Sequence, residues 1–128
     1  MRLIKQLTIL FITKRFHNRV NKSTEYLISE LQKQCNLYIW ENDGDLRGIL
    51  SRLPQSPSFI LLNDFKPDYT PTIRGIRDTS IPVGAILHEI KYKPYRRRLF
   101  YEREYIQHIF THYRDASNRI LPELKERY

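Results

Sequence analysis

Short apolar runs alternate with amphipathic stretches along the whole chain. Leu7-Thr-Ile-Leu-Phe-Ile12 is six residues, mostly branched or aromatic, and ends in a polar loop, the pattern of a strand buried on both faces. Ser23 to Gln34 places Leu27, Ile28 and Leu31 at helical spacing behind Ser23 as a potential N-cap. Asn36 to Trp40 reads as a second strand, Asp43-Gly-Asp45 as a turn, and Asp45 as the cap of a helix carrying Leu46, Ile49, Leu50 and Leu53. Pro54 and Pro57 stop that helix.

The second half repeats the plan. Ser58 to Leu62 is the third strand, and Thr70-Pro71 predicts a cap and first helical position for a short helix ending near Asp78. Ile81 to Leu87 is the fourth strand, with Pro82 at its entry, where a missing N–H is tolerated. Tyr95 to Tyr105 reads as a helix, Gln107 to Thr111 as the fifth strand, and Asp115 to Arg127 as a last helix that Pro122 shortens or kinks. Five alternations of strand and helix with short connections call for one α/β domain over residues 1–128, a parallel five-stranded sheet covered by helices on both faces. Two strand orders suit such a chain, the Rossmann-like 3-2-1-4-5 and the flavodoxin-like 2-1-3-4-5, and the pattern does not choose between them.

Composition narrows the field. At 41% hydrophobic and 28% charged residues the chain is that of a folded protein, and no apolar run approaches the roughly 20 residues that cross a bilayer. A single cysteine, Cys35, excludes an internal disulfide and fits a cytoplasmic setting; near a helix end it reads as a small buried apolar residue. The net charge of +8 raises the prospect of an anionic partner without naming one; nucleic acid, a nucleotide-sugar, an anionic polymer and a membrane surface all fit.

Ligands of open α/β sheets bind beyond the carboxyl ends of the strands, so the loops there carry the candidate chemistry. After the first strand, Lys14, Arg15, His17, Arg19 and Lys22 crowd into ten positions ahead of a helix, either an anion site or a solvated basic loop. No Gly-rich dinucleotide or P-loop motif is present. After the third strand, Asn63 and Asp64, followed by Lys66, suit either a hydroxylated ligand or a local turn. The fourth strand ends in His88-Glu89, and five of the eight residues from Lys91 to Arg98 are basic, Arg96 to Arg98 included. A histidine there can accept a proton from a hydroxyl near neutral pH, although Glu89, the adjacent residue, points to the other face. His112 occupies the same edge after the fifth strand, and Asp115 is placed to cap the last helix.

Several blocks together, Phe16-His17-Asn-Arg19-Val-Asn-Lys22-Ser23-Thr24, Trp40-Glu-Asn-Asp43-Gly44, Phe59 to Tyr69 and His108 to Asp115, resemble the N-terminal half of bacterial spore-maturation, CgeB-like glycosyltransferases. The resemblance implies a GT-B arrangement of two Rossmann-like domains, usually without a metal. The first domain holds the acceptor and the second grips the nucleotide-sugar. It makes 3-2-1-4-5 the expected strand order, with the loop of His17 facing His88 across the switch point. It also aligns His88-Glu89 with a histidine–acid pair near the acceptor, with Glu where Asp is more usual. On this reading His88 is the base with Glu89 beside it. His17, Arg19, Asn63, Asp64, Lys66, Arg96, Arg97 and His112 contact substrate. No cofactor is expected, and a nucleotide-sugar would bind only with a C-terminal donor domain, in the same or another chain. Such a domain is not present in these 128 residues, so sugar transfer is not expected from them alone.

The rival reading is a non-enzymatic basic module that binds nucleic acid or another anionic polymer, with Tyr92, Tyr95, Phe100 and Tyr101 stacking on bases. No helix-turn-helix, zinc-finger or RNP-type signature supports it. A phosphorylatable receiver domain is set aside, because Lys14 and Arg15 stand where an acidic pocket would be needed.

Overall fold

The computed structural model describes residues 7–15, 22–64, 67–88 and 92–111. The apolar runs become the parallel strands β1 (Thr8–Ile12), β2 (Asn36–Trp40), β4 (Phe59–Leu62), β6 (Val83–Leu87) and β7 (His108–Thr111) of one five-stranded sheet. A separate two-residue pairing joins β3 (Gly44–Asp45) to β5 (Ile73–Arg74). The helices are α1 (Lys22–Gln34), α2 (Leu46–Ser51) and α3 (Pro94–Arg103), with a 3-10 turn at Ile76–Asp78. The expected last helix from Asp115 to Arg127 lies outside the described residues.

The α/β class and the parallel sheet are as the sequence predicts, but the strand order is not. The sheet runs β2-β1-β4-β6-β7, which is 2-1-3-4-5 in the order of its own five strands, in place of 3-2-1-4-5. The third strand therefore pairs on both sides, with β1 and with β6, while β2 is paired only with β1. Composition explains the arrangement. Phe59-Ile-Leu-Leu62 is wholly apolar, and its last three residues are buried. Asn36-Leu-Tyr-Ile-Trp40 carries an amide and two amphipathic rings and is nowhere fully buried, as suits an edge.

Alternation along the strands sends side chains to two layers. Ile9, Phe11 and Leu61 pack with Ile28 of α1. Leu10, Ile12, Ile60, Leu62, Val83, Ala85 and Leu87 pack with Leu46 and Ile49 of α2, Ile76 and Tyr101. Fully burying each such aliphatic side chain is worth about 1.5–3 kcal/mol. Cys35 is half-buried, its thiol donates to Leu31 O at 3.2 Å, and burial raises its pKa above the ordinary thiol value.

Asp45 caps α2 as expected, its side chain accepting from Arg47 N at 3.0 Å. The short helix expected after Thr70-Pro71 does not form. The Thr70 hydroxyl lies 2.8 Å from Asp64 O and also donates to Asn63 O, so it closes the preceding loop instead of capping a helix. Beyond it, Gly44 N bonds Thr72 O, and Gly75, at φ 86, turns the chain into the 3-10 segment.

Helix α3 starts with Pro94 at its first turn and stops without a glycine. Tyr105 takes the left-handed conformation (φ 55), Ile106 N reaches Tyr101 O at 3.0 Å, and Tyr105 N reaches Glu102 O at 3.4 Å. This is a Schellman ending, closed by the buried Tyr101 and Ile106 side chains. The Tyr105 ring is held by Arg77, whose guanidinium lies 4.8 Å from the ring centroid.

One strand position tolerates no side chain as packed. A Cβ at Gly84 would stand 2.7 Å from Phe59 Cζ and 2.9 Å from Phe110 Cε2. Gly84→Ala should lower stability by about 1–3 kcal/mol in urea unfolding. Phe59→Leu in the same chain should return part of that loss. An unchanged midpoint in Gly84→Ala would show that the rings move aside freely.

Candidate functional site

In the observed order the winding reverses between β1 and β4, so the crevice expected for a ligand opens at their carboxyl ends. β1 and β6 are not neighbours. The loop after β1 and His88 therefore do not face each other directly, because β4 and its Asn63-Asp64 end stand between them.

Asn63 joins the three strand ends. It is fully buried, and its backbone N–H extends the ladder to Ile12 O at 3.1 Å. Its side-chain nitrogen donates to Thr13 Oγ1 at 2.9 Å and to Thr24 Oγ1 of α1 at 3.1 Å, and its Oδ1 lies 2.6 Å from His88 Nε2. The direction of each bond follows from Thr13. That hydroxyl has one proton, and backbone carbonyls at Lys14 (3.1 Å) and Tyr69 (3.3 Å) take it. Towards Asn63 it can only accept, so the amide nitrogen faces Thr13 and the amide oxygen faces the histidine. His88 must then carry a proton on Nε2, and in the neutral ring the lone pair sits on Nδ1. The His88 ring also packs against Tyr69, with centroids 5.1 Å apart and planes inclined by 33°.

Asp64 forms a second network beside the first. It is fully buried with φ 74, a left-handed conformation that aspartate tolerates better than most residues. One carboxylate oxygen pairs with Arg97 Nη1, and the other accepts the His88 backbone N–H at 2.9 Å. Arg97 is itself fully buried and also donates to Tyr101 Oη at 3.1 Å. Burial by itself would lower the guanidinium pKa. The attraction of Tyr101 and Asp64, with their hydrogen bonds, outweighs that and holds it above its ordinary value.

The structure thus separates residues that the sequence grouped. His88, Asn63, Asp64 and Arg97 converge, but Arg97 faces inward to a carboxylate and is not part of a surface cluster; Arg96 is exposed, and Arg98 lies 5.1 Å from the Tyr95 ring centroid. Arg15 of the basic loop grips Glu25, with Nε to Oε2 at 2.9 Å, and that hydrogen bond raises its pKa. His17, Arg19, Lys66, Glu89 and His112 lie outside the described residues. Thr13, Thr24, Tyr69 and Thr70 orient the site, a role the sequence assigned to none of them: Thr70 is read there as a helix cap, Thr24 and Tyr69 stand only within blocks of resemblance, and Thr13 is visible as the first polar residue after β1. Among the described residues, no three histidine, cysteine or carboxylate side chains group so as to hold a metal ion, and no helix is long and apolar enough to cross a membrane.

No protein family, no curated protein and no solved structure matches the chain.

Proposed function

We propose that the chain is the acceptor-binding half of a GT-B-like glycosyltransferase, similar in type to the CgeB-like spore-maturation proteins, with His88 as the base. The observation that carries this reading is the Thr13–Asn63–His88 series, in which the amide after β4 links the end of β1 to the histidine after β6 and sets that histidine's tautomer. In the reaction, Nδ1 of His88 takes the proton of an acceptor hydroxyl as its oxygen bonds to the anomeric carbon of the donor sugar. The bond to the leaving phosphate breaks, and its electron pair departs with the phosphate. The resulting imidazolium is stabilised by Asn63 Oδ1, which accepts from Nε2–H in both protonation states. The donor sugar would be held by a second domain.

Nuclear magnetic resonance of the 15N-labelled chain tests the base assignment. Long-range 1H–15N correlations should show the Nε2–H tautomer for His88 at neutral pH. Sugars or oligosaccharides that bind should shift the His88 and Tyr69 signals. An Nδ1–H tautomer would remove the base from this reading.

The rival reading, nucleic-acid binding, keeps support in the exposed Tyr95 with Arg98 and in Tyr92 with Lys93, whose Nζ lies 5.3 Å from the ring centroid. Tyr101, however, is fully buried and is not available to stack on a base. Steeply salt-dependent RNA or DNA binding would favour the rival.

A further inference from the structure

The outer face of α3 gathers cations and apolar side chains that the strand-end network does not use. Five of the eleven residues from Lys93 to Arg103 are basic, and among them only Arg97 is buried. Tyr95 and Leu99 stand one turn apart on the outer side, 65% and 41% exposed, with the exposed Arg96 and Arg103 along one flank. Past the helix end, Tyr105 is 54% exposed and carries the exposed Arg77 against its ring. These three residues are half of the six large apolar side chains that the described residues expose, and they fall within eleven positions, a concentration and not a scatter.

The charge of this face is positive but modest. Lys93, Arg96, Arg98 and Arg103 stand against Glu102 and Glu104, since Asp64 cancels Arg97, which leaves the stretch positive by two. Arg77 joins them at Tyr105, with Asp78 next to it. So small an excess does not hold a polyanion by charge alone, and the apolar members must contribute to any affinity.

That requirement separates the anionic partners. A nucleic acid would use the rings by stacking, but guanidinium groups of Arg98 and Arg77 already lie over Tyr95 and Tyr105, and Leu99 offers a base no stacking surface. A bilayer interface takes a ring together with its cation. The phenol sits among the headgroups, the guanidinium meets phosphate, and the leucine reaches the acyl boundary. The inner face of α3 is closed on Asp64 and by the buried Tyr101, so the helix has no apolar stripe left to sink into hydrocarbon. Contact at this face is therefore shallow.

We infer that the outer face of α3, with the Arg77–Tyr105 pair, docks on the surface of an anionic lipid bilayer, its cations at the phosphates and Tyr95 and Leu99 at headgroup level. The inference goes beyond the acceptor reading and does not depend on it.

Sedimentation of the whole chain with lipid vesicles is the test. The chain should bind vesicles in which a third of the phosphatidylcholine is replaced by phosphatidylglycerol, and should not bind phosphatidylcholine alone. Arg96→Glu should weaken binding about fivefold or more, and Leu99→Ser about threefold. Lys33→Glu makes the same change of charge on α1, which packs on the other face of the sheet, and should leave binding within about twofold. All three side chains are exposed, so the variants leave the core intact. Equal weakening by Lys33→Glu and Arg96→Glu would show adsorption by net charge alone and overturn the assignment, as would no binding to either vesicle. Binding to single-stranded RNA that Arg96→Glu weakens, with vesicle binding indifferent to Leu99→Ser, would overturn it in favour of nucleic acid.

Discussion

Replacing Arg97 with methionine should cost about 3–5 kcal/mol of stability, because it leaves Asp64 charged and buried without its cation. Relaxation does little to soften this. Asp64 is held by the His88 N–H and by the Thr70 hydroxyl on its own carbonyl, so its carboxylate is not readily turned out to water. Removing both charges should be much milder. Asn at position 64 keeps an acceptor for His88 N–H and tolerates the left-handed backbone, so Asp64→Asn with Arg97→Met should recover at least half of the single-variant loss. Urea midpoints of the two single variants and the double variant measure the coupling. A loss below about 1 kcal/mol in Arg97→Met would mean that water reaches the pair and that the buried geometry does not hold in solution.

Arg97 also shows where the sequence stopped being legible. Arg96-Arg-Arg98 reads as one basic surface, since three like residues carry no period of their own. The period comes from Tyr101, four residues on from Arg97 and on the same helix face, which is the inward face. The neighbouring Leu99 and Phe100 blur that signal, because consecutive apolar residues fit several helix faces equally well. A buried arginine needs a carboxylate in reach, and Asp64 lies 33 positions away; only the tertiary fold reveals the match.

The elements themselves were readable because each strand is a dense apolar run and some ends carry local chemistry, such as Asp45 before α2 and Pro54 and Pro57 after it. Strand order is a different kind of information. It depends on which side of β1 the third strand returns to, and no local residue encodes that. The all-apolar β4 against the mixed β2 was the available clue, since an inner strand is shielded on both faces and both edges while an edge strand is not. The order matters for function. With β4 between β1 and β6, the residue best placed to organise the crevice is Asn63, and a basic loop facing His88 is no longer the central feature.

That position makes Asn63→Leu the most informative single change at the site. Leucine approximates the volume but offers no acceptor to His88 Nε2–H and no donor to Thr13 and Thr24. The two hydroxyls lose only a bond they accepted, and Thr13 keeps its carbonyl partners, so their share of the cost is small. The imidazole N–H, half-buried with its ring, is the expensive loss, at about 1–2 kcal/mol, and with the vacated network the total should come to about 2–3 kcal/mol. The ring has an escape that the threonines lack: it can move its proton to Nδ1. The lone pair would then turn towards the new leucine and away from any hydroxyl to be deprotonated. Long-range 1H–15N spectra should therefore show the tautomer change in Asn63→Leu while the far ends of the sheet keep their wild-type shifts. Asn63→Gln, with the same amide on a longer arm, should restore Nε2–H only in part. If Asn63→Leu retains the Nε2–H form, another group orients His88, and the amide is a packing residue with no hold on the base.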